Sequence, residues 1–236
     1  VVDRPSDVIS QGTYGIPLLI DPLVLYYNRE LLINAGLPTV PKTWTEFIAK
    51  TVPLTIFDDR RNILQSAVAM GDYRNINHMK DIIALLLLQA GNPIFGNPNV
   101  RPAPLLNESF GFILKPAIAV LDFYSQFADP ARPNYAWNRS LPEAKQSFTR
   151  GQSVFYLGPA SEFSGISQTN PRLAFDVAVP PQKSDGPRLT FARTIGVAVV
   201  RDGKKIAVAW QAAQALASAP TVGKLSQLTG LPPARS

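Results

Sequence analysis

The stretch YGIPLLIDPLVLYYN, residues 14–28, decides the fold of this chain. It is filled with apolar and aromatic residues, and its two prolines are incompatible with a helix, so we expect one long extended segment. A single acid, Asp21, interrupts the apolar run. At its end, Asn28 can cap a helix and Gly36 suits a left-handed C-terminal position, which predicts a short helix between them.

The composition is that of a folded protein with a mildly basic surface. Hydrophobic residues make up 46% of the 236 residues and charged residues 17%, so the chain can build a core and disorder is not expected. The formal net charge is +6, but Lys and Arg are dispersed, which argues against a nucleic-acid partner. The chain contains no cysteine, which excludes disulfides, thiolate catalysis and thiolate metal sites.

No targeting segment is visible at the start of the chain. The sequence begins at Val1 without an initiator Met or a signal peptide, so we expect it to be cut from a longer protein. The most hydrophobic run, residues 82–88, is shorter than the roughly 20 apolar residues that cross a bilayer.

Turn residues and helix caps divide the rest of the chain into alternating strands and helices. The segments 43–46 and 140–143 are capping boxes, and Asp72 can cap a long helix that ends at Gly91. Further helices are predicted over residues 116–127, 204–218 and 221–228, and strands over residues 63–70, 153–157, 175–179 and 194–200. This alternation is typical of an α/β architecture.

Motifs of nucleophilic catalysis and phosphate binding are absent from the sequence. There is no Gly-rich phosphate loop, no GxSxG and no SxxK, and His78 is the only histidine. A saccharide hydrolase would need a pair of carboxylates, but no spacing singles out a pair. The candidate acids are Asp21, Asp72, Asp122, Glu143 and Glu162. We therefore expect no enzyme, no cofactor and no metal site, and keep a carboxylate-dependent hydrolase as the alternative.

The three tryptophans could stack on a sugar, but two of them occupy core-like positions. Trp44 and Trp210 lie on predicted helices at spacings typical of buried residues. Trp137 lies in a polar loop and is the candidate for a ligand contact.

Residues 14–47 resemble a known family. They contain, in order, Tyr26-Tyr-Asn28, Ala35-Gly-Leu37 and Pro41-Lys-Thr-Trp-Thr-Glu-Phe47. This ordered series resembles the family 1 extracellular solute-binding proteins, the maltose-binding-protein-like receptors of ABC importers. The likeness continues through residues 148–159, 175–181, 195–200 and 228–235, so it covers essentially the whole chain.

The resemblance implies a fold and a division into lobes. The implied fold is α/β, of the type II periplasmic-binding-protein class, in which two lobes are joined by crossing hinge strands. Residues 1–20 would hold the end of lobe 1 and the first hinge, residues 21–192 lobe 2, and residues 193–236 the second hinge and the return to lobe 1. The chain would then be a fragment, with one near-complete lobe and part of the other.

The resemblance also implies a function. The chain would belong to the substrate-binding component of an ABC importer, which captures a small solute between its lobes and delivers it to membrane permease subunits. A saccharide or polyol is the expected solute, and the location is periplasmic or extracellular, with an anchor on the missing N-terminus as an option. A binding protein that feeds a sensor is a further alternative.

The first implied site residue is Asp21, on the floor of the cleft. It aligns with an acid that contacts sugar hydroxyls in maltose-binding-like members, and a carboxylate accepts strong hydrogen bonds. The alternative is that Asp21 caps a turn before Pro22.

Ser161, Glu162 and Phe163 are implied by the same mapping, because they open a short helix whose amides would face the cleft. Where maltose-binding members carry a stacking Trp, this chain has Ala160, and Phe163 could stack instead.

The remaining implied site residues precede the long helix or lie near the second hinge. Tyr73, Asn75 and Asn77 offer a phenol and amides that suit polyol recognition, with helix capping as the alternative. Arg193 could reach the ligand or pair with Asp21, and Arg235 would lie in a loop near the cleft.

Overall fold

The computed structural model describes residues 15–94, 106–111, 113–200 and 205–234. The predicted extended segment forms strand β1 (Ile16–Asn28), and the predicted short helix follows as α1 (Arg29–Asn34). The Asn28 side chain accepts a hydrogen bond from the Leu31 amide at 3.1 Å, and Gly36 has a φ of 70°. Both end signals of this helix are therefore confirmed.

Strand β1 changes its partners halfway along its length. Its first half pairs antiparallel with β6 (Ala192–Val197), up to the pair Pro22↔Ala192. From Leu23 onward it lies between β4 (Ser153–Pro159) and β5 (Phe175–Ala178), antiparallel to both. We call the point between Pro22 and Leu23 the junction, and Asp21 lies directly beside it.

The strands form one mixed sheet. β2 (Ile56–Phe57) and β3 (Ile63–Val68) complete the order β2-β3-β4-β1-β5, with β6 attached to β1 outside this path. β3 and β4 are parallel, which requires a long crossover between them.

The helices lie between and after these strands. They are α2 (Trp44–Thr51), α3 (Met79–Gln89), α4 (Pro116–Ser125), α5 (Ala144–Thr149), α6 (Glu162–Thr169), α7 (Ile206–Leu216) and α8 (Ala219–Thr229). Short 3₁₀ turns follow α2 and α4, over Val52–Leu54 and Gln126–Ala128. The predicted α/β class is confirmed.

Two separate hydrophobic clusters pack against the two halves of β1. The large core lies on the second half and includes the fully buried Leu25 and Tyr26. The small core lies on the first half and consists of Leu18, Leu19, Val222 and Leu231. The end of the described chain runs beside this half, where the Ile20 amide donates to the Pro232 carbonyl at 3.0 Å. One strand therefore belongs to two cores, although the predicted division at residues 20 and 192 stays a prediction.

Two helix starts differ from the sequence prediction. Helix α3 begins at Met79, because the Asp72 carboxylate accepts the Tyr73 and Arg74 amides and holds a turn instead of a helix cap. Helix α5 begins at Ala144, three residues after the predicted start, and the Ser140 hydroxyl donates to the Asn138 side chain at 2.6 Å. In both places a local side-chain bond to a nearby group competes with helix formation.

The tryptophans also differ from expectation. Trp137 is fully buried in the large core, so the prediction that it contacts ligand is wrong. Trp210 was expected in a core but is 38% exposed, since α7 buries only Ala213. Trp44 packs against the large core but is only half-buried, and its ring nitrogen donates to the Gln89 side-chain oxygen at 2.7 Å.

Candidate functional site

The Asp21 side chain lies at the junction and holds the start of helix α6. Its residue is 7% exposed. One carboxylate oxygen accepts the Ser161 amide at 2.9 Å, and the other accepts the Ser161 hydroxyl at 2.7 Å. The Ala160 amide adds a bond to the Pro22 carbonyl at 2.9 Å. The predicted acid and the predicted helix start are therefore joined directly to each other.

Glu162 lies beside this pair in a polar cluster. Its carboxylate accepts the Tyr156 hydroxyl at 2.6 Å and lies 3.2 Å from both His78 Nε2 and Lys145 Nζ. Gly158 makes room for the cluster, because a Cβ there would lie 2.6 Å from the Tyr156 ring and 2.9 Å from the Glu162 carboxylate. The glycine is required for this close approach, whatever its backbone conformation.

The charge state of the cluster follows from its hydrogen bonds. Burial alone would raise the pKa of Glu162, but hydrogen bonds from His78 and Tyr156 and the charge of Lys145 hold it below its ordinary value. Burial, followed by the charge of Glu162, raises the pKa of Tyr156. Glu162 is therefore an anion at neutral pH, and Tyr156 remains a hydrogen-bond donor.

Arg193 on β6 is the register partner of Asp21, but its guanidinium points to a different acid. It donates to the Asp81 carboxylate on α3, and its Nη2 lies 3.2 Å from His78 Nδ1. Because a guanidinium can only donate, His78 Nδ1 accepts and His78 Nε2–H donates to Glu162. Of the two interpretations of Arg193, pairing with Asp21 is therefore wrong in this structure.

Tyr73 and Asn75 lie in the turn before α3. Tyr73 is 59% exposed, with the guanidinium carbons of Arg74 and Arg139 at 5.6 and 5.7 Å from its ring centre. The Asn75 side chain donates to the carbonyls of Asn138 and Leu141, both at 3.0 Å.

The same turn supports the loop before α5 and the start of that helix. The Asn75 side-chain oxygen accepts the Trp137 ring N–H at 2.9 Å, and its carbonyl accepts the Ala144 amide at 2.8 Å. Asn77 bonds the Glu143 carboxylate at 3.1 Å and accepts the Lys145 amide at 3.4 Å. The capping alternative is therefore the role that these contacts support, although the helix being capped is α5.

Phe163 is the predicted aromatic residue with an open face. It is 43% exposed, and its ring centre lies 5.0 Å from that of Phe175. Arg235 lies outside the described residues.

Four of the seven predicted site residues come together at the junction. Asp21 bonds Ser161, which precedes Glu162, and His78 links Glu162 to Arg193. Sequence reasoning missed His78, Asp81, Lys145 and Tyr156. The one available signal was the His78–Asp81 spacing of three residues at a helix start, which places both on one face.

Two concavities lie elsewhere and contain none of the predicted site residues. One, of about 590 Å³, is mostly apolar and lies between α3 and α4, around Leu86 and Phe123. The other, of about 240 Å³, lies on the first half of β1 and on β6, around Pro17 and Thr194.

The described part of the chain contains neither a metal-binding cluster nor a membrane-spanning helix. No group of three or more His, Asp and Glu side chains converges there as metal ligands. None of its helices combines the length and the apolar character that crossing a membrane requires.

Comparisons with known proteins agree with this architecture. The chain is 20% identical over 231 residues to the diacetylchitobiose binding protein DasA of Streptomyces coelicolor, covering 97% of this chain and 51% of DasA. It superposes with a TM-score of 0.67 on the GacH receptor of Streptomyces glaucescens, at 18% identity, covering 97% of this chain and 55% of GacH. UgpB of Mycobacterium tuberculosis gives a TM-score of 0.68 at 19% identity, covering 97% of this chain and 53% of UgpB.

These likenesses establish the fold and the family. The chain spans about half the length of the relatives it matches. It has the α/β fold of the type II periplasmic binding proteins, as the sequence predicted. The family model described as "Bacterial extracellular solute-binding protein" matches residues 6–236. This chain belongs to the bacterial extracellular solute-binding proteins.

Proposed function

We propose that the protein carrying this chain is the substrate-binding component of an ABC importer. It captures a small solute, a saccharide or polyol, in the periplasm or outside the cell and delivers it to permease subunits in the cytoplasmic membrane. The proposal rests on family membership and on one structural observation: β1 is a single strand shared by two separate cores.

A strand shared by two cores suits a receptor that closes around its ligand. Bending at the junction moves the small core relative to the large core, because β1 pairs with β6 on one side and with β4 on the other. We call the large core and the small core, each with the elements around it, the two bodies. A solute can contact both bodies at once only when the bodies lie close together. Binding then favours closure by the difference in affinity between the two states.

We propose that the solute meets the large core at the exposed side chains of the predicted site. These are Phe163 and Tyr73. Arg193, whose side chain is half exposed, is held by Asp81 and influences binding indirectly. Asp21, Glu162 and Asn75 already hold hydrogen bonds within the protein, so their first role is to shape the surface that the solute meets. Ser161 contributes to the same surface indirectly, because it precedes the first residue of α6.

The proposed solutes come from the relatives. DasA is a diacetylchitobiose binding protein, and structures are known of GacH in complex with acarbose and of UgpB in complex with glycerophosphocholine. These three compounds therefore form the first panel for thermal shift and titration calorimetry on the natural full-length protein. A ligand at 100 times its Kd should stabilise the protein by about 2.7 kcal/mol.

A matched pair of variants tests the proposed contact surface. Phe163→Ala should weaken binding by about 2- to 12-fold, because aromatic stacking contributes about 0.5–1.5 kcal/mol and each 1.4 kcal/mol is about tenfold. Phe110→Ala is the control, since Phe110 is similarly exposed, at 39% against 43%, and lies on a different segment. Equal affinities in the two variants would contradict the proposed surface.

Recovery of the bound compound separates a receptor from the hydrolase alternative. A receptor returns every panel compound chemically unchanged after long incubation, whereas a hydrolase releases products that mass spectrometry detects. Binding of one molecule per chain without any product supports the proposed function. Turnover that Glu162→Gln abolishes would overturn it.

A further inference from the structure

We infer that Arg193 is a positioning residue that sets the angle of the second crossing strand, and that it does so through a clamp on the large core. The clamp consists of His78, Asp81, Glu162 and Arg193. This inference rests on the proposed function, because an angle between two bodies matters only if the protein closes around a solute.

The clamp connects two elements that are not neighbouring strands. Arg193 lies on β6, which pairs with the first half of β1, and Phe191, the residue before β6, accepts the Leu23 amide at 2.8 Å at the junction. Its guanidinium nevertheless reaches Asp81 and His78 at the start of α3, more than 100 residues away in sequence and packed in the large core. The side chain therefore fixes β6, beside the junction, to a helix of the large core.

The position of the clamp makes it sensitive to bending. Arg193 pairs in register with Asp21, one residue before the junction on β1. A change in the angle between β6 and the large core at this point moves the guanidinium relative to Asp81. The positions of β6 in the open and the closed protein therefore differ in the energy of this contact. Such a difference is the condition for the contact to bias the equilibrium between open and closed states.

The electrostatic environment strengthens the contact. The Asp81 side chain is 15% exposed and that of Glu162 16% exposed, so water screens both carboxylates less than it would a surface pair. His78, with a side chain 11% exposed, lies between them and accepts from Arg193 while it donates to Glu162. Removing Arg193 would take the guanidinium away from the Asp81 carboxylate in a poorly hydrated place.

The clamp also reaches the surface on which we place the solute. Glu162 is the first residue of α6, directly after Ser161 and before Phe163. A solute that presses on the start of α6 is thus connected, through Glu162 and His78, to Arg193 on β6. Such a connection can transmit binding to closure, provided that the clamp has two arrangements.

Spin labels on the two bodies test the inference without any ligand. The 236 residues contain no cysteine. With any cysteine elsewhere in the full-length protein replaced by serine, labels at Ser125→Cys on α4 and Gln227→Cys on α8 report one distance between the large core and the small core. Arg193→Met and Asp81→Asn should each change this distance distribution in the same way in the natural full-length protein. Arg132→Met is the control, because Arg132 pairs with Asp122 and Asp129 on the exposed surface of the large core.

Binding measurements then separate positioning from direct contact. If Arg193 acts through the clamp, Arg193→Met and Asp81→Asn change the Kd for a panel compound by the same factor, about 5- to 50-fold, and the double variant changes it no further. Exchanging the two charges, Arg193→Asp with Asp81→Arg, should restore much of the lost affinity for the panel compound.

Two results would overturn the inference. One is an unchanged distance distribution in both single variants. The other is a loss of binding in Arg193→Met with normal binding in Asp81→Asn, which would make Arg193 a ligand contact instead. If the wild type binds none of the panel compounds, the proposed ligand class fails, and the distance measurement alone still decides whether the clamp exists.

Discussion

Asp21 shows why one residue type can be identified from sequence while its partner cannot. An acid in an apolar strand indicates a special role. In the structure Asp21 is 7% exposed and accepts two hydrogen bonds from Ser161. The partner is 140 residues away, and only the pairing of β1 with β4 brings it near. The carboxylate replaces lost hydration with these bonds, as a buried charge must.

The first prediction concerns the Ser161 hydroxyl. Ser161→Ala should lower the free energy of unfolding by about 1–2 kcal/mol, because it leaves one buried Asp21 oxygen without its donor. Urea denaturation measures this change. Ser125→Ala is the matched control, since the Ser125 hydroxyl makes a local bond at the exposed end of α4 and its loss should cost little. Equal stability of the two variants would mean that the Asp21–Ser161 bond contributes nothing measurable.

The second prediction concerns pH. The pKa of Glu162 is lower in the folded protein than its ordinary value of 4.5, so its contribution is present above that value and is lost as pH falls through the folded pKa. Glu162→Gln should destabilise the protein at neutral pH. The difference between wild type and variant should then shrink below about pH 4.5.

Chemical denaturation over a pH series measures this second prediction. Glu30→Gln, at an exposed position, controls for the loss of one negative charge. A gap between wild type and Glu162→Gln that stays constant down to acid pH would show that Glu162 acts through packing and not through its charge.

At the scale of elements, the contact between β1 and β6 depends on the absence of a side chain. A Cβ on Gly196 would lie 2.9 Å from the Ile16 carbonyl oxygen, which is backbone and cannot move aside easily. The two strands can therefore approach normally only if position 196 is glycine. Glycine is needed here because there is no space for a Cβ, not because the backbone has a left-handed φ. No turn pattern in the sequence reveals such a requirement.

The third prediction uses two glycines with opposite expectations. Gly196→Ala should destabilise the protein by about 1–3 kcal/mol, because the added methyl overpacks the strand pair. Gly223→Ala in α8 should stabilise it by roughly 0.5–1 kcal/mol, since nothing lies within 4 Å and alanine is the better helix former. Thermal and urea unfolding measure both. A neutral Gly196→Ala would show that β6 can shift along β1.

The elements that sequence predicts well are those fixed by local signals. Asn28 and Gly36 delimit α1, and Gly230, with a φ of 71°, ends α8. Prediction failed before α3, where a local Asp72 turn replaces the helix cap, and before α5, where a contact across the chain also fixes the start. Asn75 supplies the carbonyl for the first amide of α5, and no pattern around residue 144 contains that information.

The site follows the same rule at a larger scale. Asp21, Ser161, Glu162 and Arg193 carry polar groups at places where apolar residues or turns are expected, so the sequence draws attention to them. His78 and Tyr156 look like an ordinary cap and an ordinary strand aromatic. Their roles depend on how β4, α3 and α6 meet, which a single sequence without the fold does not specify.

For the whole molecule, the central feature is that one strand serves two cores of unequal size. Among the described residues, the large core contains 28 buried residues and the small core contains four. Apolar burial stabilises in proportion to area, so the two halves of β1 should not be equally stable in this chain. Local opening follows such differences, and regions with few buried contacts open first.

The last prediction is therefore that hydrogen exchange divides β1 at the junction. In the 236-residue chain, amides of residues 24–28 should exchange slowly with the large core, and those of residues 16–20 faster with α8. Val222→Ala, in the small core, should speed exchange over residues 16–20 and leave residues 24–28 unchanged. Val154→Ala, on β4 beside the second half of β1, is the matched substitution in the large core and should do the reverse.

The expected change in exchange rate follows from the energy lost when a buried valine is truncated. Truncating a buried valine costs about 1–3 kcal/mol, and each 1.4 kcal/mol corresponds to about tenfold in the opening equilibrium. Mass spectrometry of peptides on each side of the junction resolves such a factor. If Val222→Ala speeds exchange equally on both sides, β1 belongs to one cooperative unit. The junction would then be no place to bend, and closure about it would be excluded as the mechanism of capture.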